Sequence, residues 1–150
     1  MMLLSSAFGN NETIPIQYSG EGKDISPPLR WQDVPEDTRS LALICDDPDA
    51  PNRTWDHWIL YNIPPSIGTL AEDLKLLPQN ARSGLNSWGK TGYGGPMPPR
   101  GHGPHHYFFT LYALDTVLQF PFDVTKEVLL KEMRNHTLGK AILIGLYERK

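Results

Sequence analysis

Between Gly84 and Pro104 the sequence places seven glycines and four prolines in 21 residues. Proline removes a backbone donor and fixes φ, and glycine weakens any regular element, so neither a helix nor a central strand runs through this stretch. A loop of that length inside a compact domain is usually functional or disordered. Disorder fits poorly, because Trp88, Tyr93, Met97 and two histidines lie in or beside it. The stretch is therefore expected to be an ordered loop that helps to form a site, and the rest of the chain must supply a rigid frame around it.

The whole chain has 150 residues, 39% of them apolar, enough for one core and too short for two. No internal repeat or boundary divides it, so residues 1–150 are expected to form a single domain. The net charge is −3 with no block of like charge. A nucleic-acid binder would show a basic stripe, and none is present. The longest apolar runs, such as Leu41 to Cys45, are far below a bilayer span. Met1 to Leu4 is too short for a signal-peptide core and has no basic residue ahead of it. Cys45, the one cysteine, cannot form an internal disulfide. These features together predict a soluble, cytoplasmic protein.

Strand-like runs flank the loop: Ile14 to Tyr18, Ser40 to Asp46, His57 to Ile63, Tyr107 to Leu114 and Ala141 to Tyr147. One helix is expected, capped by Thr125, with Val128, Leu129, Glu132 and Met133 at helical spacing and an end near Arg134 and Asn135. Leu70 to Leu77 can add one further helical turn. Strands joined by long turn-rich connections favour an antiparallel β-sandwich with one or two short helices. Leu41 to Cys45 and Ala141 to Leu146 are apolar on both faces, which places each in mid-sheet.

Three clusters could carry chemistry. Asp46, Asp47 and Asp49 surround Pro48 and precede Pro51, giving a rigid acidic turn whose X-Pro bonds tolerate the cis form. Its plain reading is a solvated turn that ends a strand. Trp55 to Trp58 opens the next strand, and period-two alternation puts His57 on one face with Asp56 and Trp58 on the other. His102, His105 and His106 leave the loop, and alternation puts His105 and Tyr107 on one face and His106 on the other. Three histidines in five positions invite a metal, yet the spacing fits no structural zinc pattern and no thiolate partners exist. Neither metal nor cofactor is expected. Nucleophile elbow, P-loop, dinucleotide fingerprint and zincin motifs are all absent. Cys45 reads as a small core residue.

Taken together, the segments Ser26 to Trp31, Ser40 to Pro51, Asp56 to Pro64, Gly89 to Pro99 and Gly101 to Tyr107 resemble the phosphatidylethanolamine-binding proteins, also called Raf kinase inhibitor proteins. The likeness is to the short bacterial and archaeal branch and runs in order over roughly residues 8 to 148. It implies an antiparallel β-sandwich with a small pocket at one end that takes phosphate, phosphoethanolamine head groups and similar anions. Position by position, it implies Asp47, Asp49, His57, Pro99, His105 and Tyr107 as pocket residues and Trp55 as an aromatic lid. His106 stands where the family usually has arginine. The chain stops at Lys150, short of the long C-terminal segment of the animal members, so kinase inhibition does not carry over. Short members are often dimers, which makes a homodimer the expected assembly.

Two histidines, a tyrosine hydroxyl and loop N–H groups suit an anion pocket, with an aspartate that is protonated or keeps His57 a donor. The expected function is a small-anion or phospholipid-head-group binding module that acts through a protein partner. Two alternatives are a hydrolase with an Asp47/His57 acid–base pair, which lacks an activated nucleophile, and an interaction protein with a vestigial pocket.

Overall fold

The computed structural model describes residues 1–150. Nine strands and one helix follow in order: β1 (Met2–Leu4), β2 (Glu12–Thr13), β3 (Leu29–Gln32), β4 (Ser40–Asp47), β5 (Trp55–Ile63), β6 (Thr69–Leu70), β7 (Arg82–Ser83), β8 (His105–Leu114), α1 (Lys126–Met133) and β9 (Thr137–Tyr147). β1, β3 and β6 form a small antiparallel sheet in the order β1-β3-β6. The large sheet runs β2-β9-β8-β4-β5-β7 and is antiparallel except for the β2–β9 pair. The architecture is the mostly-β sandwich that the strand spacing predicts.

Alternation builds two apolar layers. Leu41, Leu43 and Cys45 of β4 meet Phe109 and Leu111 of β8, and Leu3, Leu29 and Trp31 close over them from the small sheet. The intervening residues Ala42 and Ile44, with Ile59 and Tyr61, face the other way and are covered by Leu118, Val124, Leu129 and Met133. Each fully buried Leu or Ile contributes about 1.5–3 kcal/mol of transfer free energy. Helix α1 forms as expected: the Thr125 hydroxyl accepts from the Val128 N–H, and Leu129 and Met133, one turn apart, are its buried face.

Four local expectations are corrected. Ile14 to Tyr18 is not a strand, because Pro15 turns the chain into a 3-10 turn over Ile16–Tyr18. Ile16 is thereby 60% exposed while Tyr18 is buried. Leu70 to Leu77 forms no helical turn: Asp73 sits at φ 53, outside the right-handed helical region, and Leu76 points to solvent. Ala141 to Leu146 is not buried on both faces, since α1 does not reach it and Ile142 stays 46% exposed. Its outer neighbour is only the two-residue β2. The acidic turn is all-trans. No helix is long and apolar enough to cross a membrane.

Candidate functional site

Antiparallel pairing sets the position of the site. β4 ends where its two neighbours β5 and β8 begin, with Asp47 opposite Trp55 and Asp46 opposite Phe108. The acidic turn, the Trp55 entry and the His105 entry therefore meet at one end of the large sheet.

At the β4–β5 edge the register slips, with Cys45 opposite Trp58 but Asp46 opposite Asp56, which leaves His57 as an extra, unpaired residue. This is a β-bulge, and it breaks the period of two. Trp58 belongs to the layer between the sheets and stacks edge-on against Tyr93, 5.4 Å away. Asp56 lies on the opposite face, against Lys126 of α1. His57 turns with Trp58 rather than against it and packs edge-on to Tyr107 at 5.1 Å. The expectation that Asp56 and Trp58 share a face is corrected on this point.

The Gly84–Pro104 loop closes the wall. The Asn86 carbonyl oxygen accepts from the N–H groups of Trp88 and Lys90, and its amide donates to the Gly92 carbonyl, so one side chain organises the tip. Gly94 N–H donates to the His57 carbonyl, and His57 Nδ1 donates to the Gly94 carbonyl at 2.7 Å. A Cβ on Gly94 would lie 2.4 Å from the Trp88 ring, and one on Gly95 would lie 2.3 Å from the Tyr18 carbonyl oxygen. Only glycine lets the backbone approach this closely.

A cavity of about 420 Å³ results. Six of the seven expected residues line it: Asp47, Trp55, His57, Pro99, His105 and Tyr107. Asp49 does not. Its Oδ2 accepts from the backbone N–H and the Nδ1 of His106, both outside the cavity. Against a burial penalty, those two bonds hold the Asp49 carboxyl below its usual value. Trp88, Met97 and Asn52 also line the cavity. The loop position of Trp88 and Met97 was a legible signal, whereas nothing in the sequence singles out Asn52.

The polar groups are closely specified. Asp47 is buried, with Oδ1 accepting from the Asp49 N–H at 2.8 Å and Oδ2 from His105 Nδ1 at 2.7 Å. His105 Nε2 meets His102 Nδ1 at 2.9 Å, so both ring nitrogens of His105 have protein partners. His57 differs, since Nδ1 is held by Gly94 and Nε2 has no protein partner. Burial pushes the His57 pKa down, opposed by the Gly94 carbonyl and the nearby Asp47 and Asp56, and the ring is neutral near pH 7. Burial and the Asp47 charge push Tyr107 far up, so it is a permanent O–H donor. Trp88 stands edge-on to both Trp55 and His57, at 5.5 and 5.2 Å. Cys45 is buried, and burial pushes its thiol well up, so it is no nucleophile. Nowhere do three His, Cys, Asp or Glu side chains converge as they would around a metal ion.

Residues 4–148 match the family profile described as phosphatidylethanolamine-binding protein. A UPF0098 protein of Methanothermobacter thermautotrophicus is 50% identical, with 99% of each chain covered. The crystal structure of a putative phosphatidylethanolamine-binding protein homologue from Chlamydia trachomatis superposes with a TM-score of 0.92 at 44% identity, over 99% of this chain and 97% of the other. E. coli YbcL, described as a new member of the mammalian family, gives 0.93 at 32% identity, over 99% and 98%.

Proposed function

Because the chain belongs to the phosphatidylethanolamine-binding protein family, we propose that its cavity binds a small phosphate-type anion, such as phosphate or a phosphoethanolamine head group, and that the occupied protein acts through a protein partner. One observation carries this reading: His57 is fixed through Nδ1 and leaves Nε2, an acceptor in the neutral ring, unpartnered beside a cavity that Tyr107 also lines with its hydroxyl. Asp47 is no obstacle to an anion, since its two oxygens are already held by His105 and the Asp49 N–H.

A neutral His57 changes how the anion is recognised. It does not offer a charge. It accepts the proton of a monoanionic phosphate at Nε2, so that one proton is shared between ligand and ring. His105 takes no part as a direct donor, contrary to the sequence expectation, because its second nitrogen is engaged by His102. The Asp–His pair present is Asp47–His105 rather than Asp47–His57, and this favours binding over acid–base turnover.

Calorimetric titration of phosphoethanolamine and of sulfate tests the reading. A phosphate monoester loses its second proton near pH 6. Affinity for phosphoethanolamine should fall as the pH rises from roughly 6 to 8.5, by about tenfold to a hundredfold, the worth of one charge-assisted hydrogen bond. Sulfate, which brings no proton, should bind weakly at neutral pH and improve only in acid, where His57 protonates. His57→Ala should flatten both profiles. Absence of binding at every pH, or a His106→Ala variant that behaves like His57→Ala, overturns the assignment. Native mass spectrometry of the same sample should show a carried anion and the mass of a homodimer.

A further inference from the structure

The face of the bulge turned away from the cavity carries a second charge cluster. Asp46 and Asp56 are direct register partners on β4 and β5. Like charges set opposite one another on adjacent strands repel. Lys126 Nζ lies between them, 3.1 Å from Asp46 Oδ2 and 2.7 Å from Asp56 Oδ1. The three side chains are only 14%, 23% and 11% exposed, for Lys126, Asp46 and Asp56 respectively. The Asp46 contact is a well-directed hydrogen bond. Asp56 Oδ1 is buried, and the cation that meets it is the Lys126 ammonium group.

Lys126 is also the first residue of α1, the end of a helix dipole that disfavours a cation. The acid pair accounts for its presence there. Against burial, Asp56 and Asp46 raise its pKa, so it stays charged. Tyr112 of β8 also lies near the cluster, and burial and Asp46 keep its hydroxyl protonated.

One residue further along each strand lies the site: Asp47 follows Asp46, and His57 follows Asp56. We propose that Lys126 is a positioning residue, clamping the ends of β4 and β5 from the far side of the sheet and so holding Asp47 and His57 at the cavity. The proposal rests on the anion-site reading for its consequence in binding, but the placement of His57 can be tested without any ligand.

The His57 ring stands edge-on to Trp88 at 5.2 Å and Tyr107 at 5.1 Å, so its proton chemical shifts report its position through ring currents. These shifts, and the affinity for inorganic phosphate, are compared in wild type, Lys126→Met, Lys126→Arg and the double variant Lys126→Met/Asp46→Asn. Shifts are read at about pH 8, where imidazole is neutral. Lys126→Met should stay folded by circular dichroism, yet its His57 ring protons should move toward free-imidazole positions. Its phosphate affinity should fall about tenfold or more, as misplacement of a binding group predicts. Lys126→Arg restores the charge, and in the double variant the amide brought by Asp46→Asn removes the repulsion and offers Asp56 a donor, so both should return the two readouts to wild-type values.

Unchanged His57 shifts in Lys126→Met overturn the proposal, as does a loss that the double variant fails to rescue. If Lys126→Met does not fold, the double variant decides: a fold with wild-type His57 shifts supports the clamp, and its absence refutes it. If wild type takes up no phosphate, the anion-site reading fails, while the ring shifts still judge Lys126.

Discussion

His105 and His106 are neighbours at the entry of β8, and each holds an aspartate from the same acidic turn. The bonds are alike, Nδ1 to Oδ2 at 2.7 Å in both. Their surroundings are not. The His105–Asp47 side chains are 2% and 4% exposed, and the His106–Asp49 side chains are 48% and 41% exposed. Strand alternation alone separates them, turning one pair inward against the cavity and the other out to water. The inner pair fixes a carboxylate and a ring in the site. The outer pair fastens the acidic turn to β8 without touching the cavity. Two identical contacts thus do different work because water screens one and is excluded from the other.

The largest effect should come from the inner pair. Asp47→Ala leaves His105 Nδ1 and the Asp49 N–H without a buried acceptor. The loss in urea unfolding should be about 3–5 kcal/mol, against about 0–1 kcal/mol for Asp49→Ala. Equal losses in the two variants would break the contrast.

Next in size is the response to pH. Burial lowers the folded-state pKa of His57 below its unfolded value of about 6.5, so in that window the unfolded chain binds more protons and stability rises with pH. The melting temperature should drop as the pH falls from about 6.5 toward the folded-state value, and His57→Phe should flatten that limb. Asp49, whose pKa is lowered, contributes only above about 3.9 and, being exposed, contributes little. An acid limb unchanged in His57→Phe would move the buried neutral group elsewhere.

The smallest effect is expected at His106. His106→Ala should change stability by less than about 1 kcal/mol, as for other exposed pairs, and phosphate affinity not at all. Denaturation and calorimetry on one sample check both.

The long apolar strands, the capped helix and the site-forming loop were legible because each follows from a local rule. β4 reads as buried on both faces and is, and Thr125 announces α1. The bulge at His57 was not legible. An inserted residue leaves no mark in Trp55 to Trp58, where neither glycine nor proline signals a break in the period. The role of His102 escaped for a related reason, since only the folded loop brings its ring to His105. Asp49 looked like a second Asp47 because motif spacing carries no information about which way a turn residue faces.

One pairing bears on how the fold is reached. Glu12 and Thr13 lie parallel to Gly145 and Leu146, so segments from opposite ends of the chain close the edge of the large sheet. A Cβ on Gly145 would lie 2.5 Å from the Ile14 side chain, and this close seat makes the junction specific. The β4–β5 hairpin can form from local contacts, but the β2–β9 junction waits until nearly the whole chain is available. Such non-local topology puts refolding in the range of about milliseconds to seconds. On a ribosome, Phe8 and Ile14 must wait without their β9 neighbour Gly145 until β9 has emerged, which is the interval in which a chaperone would find its substrate.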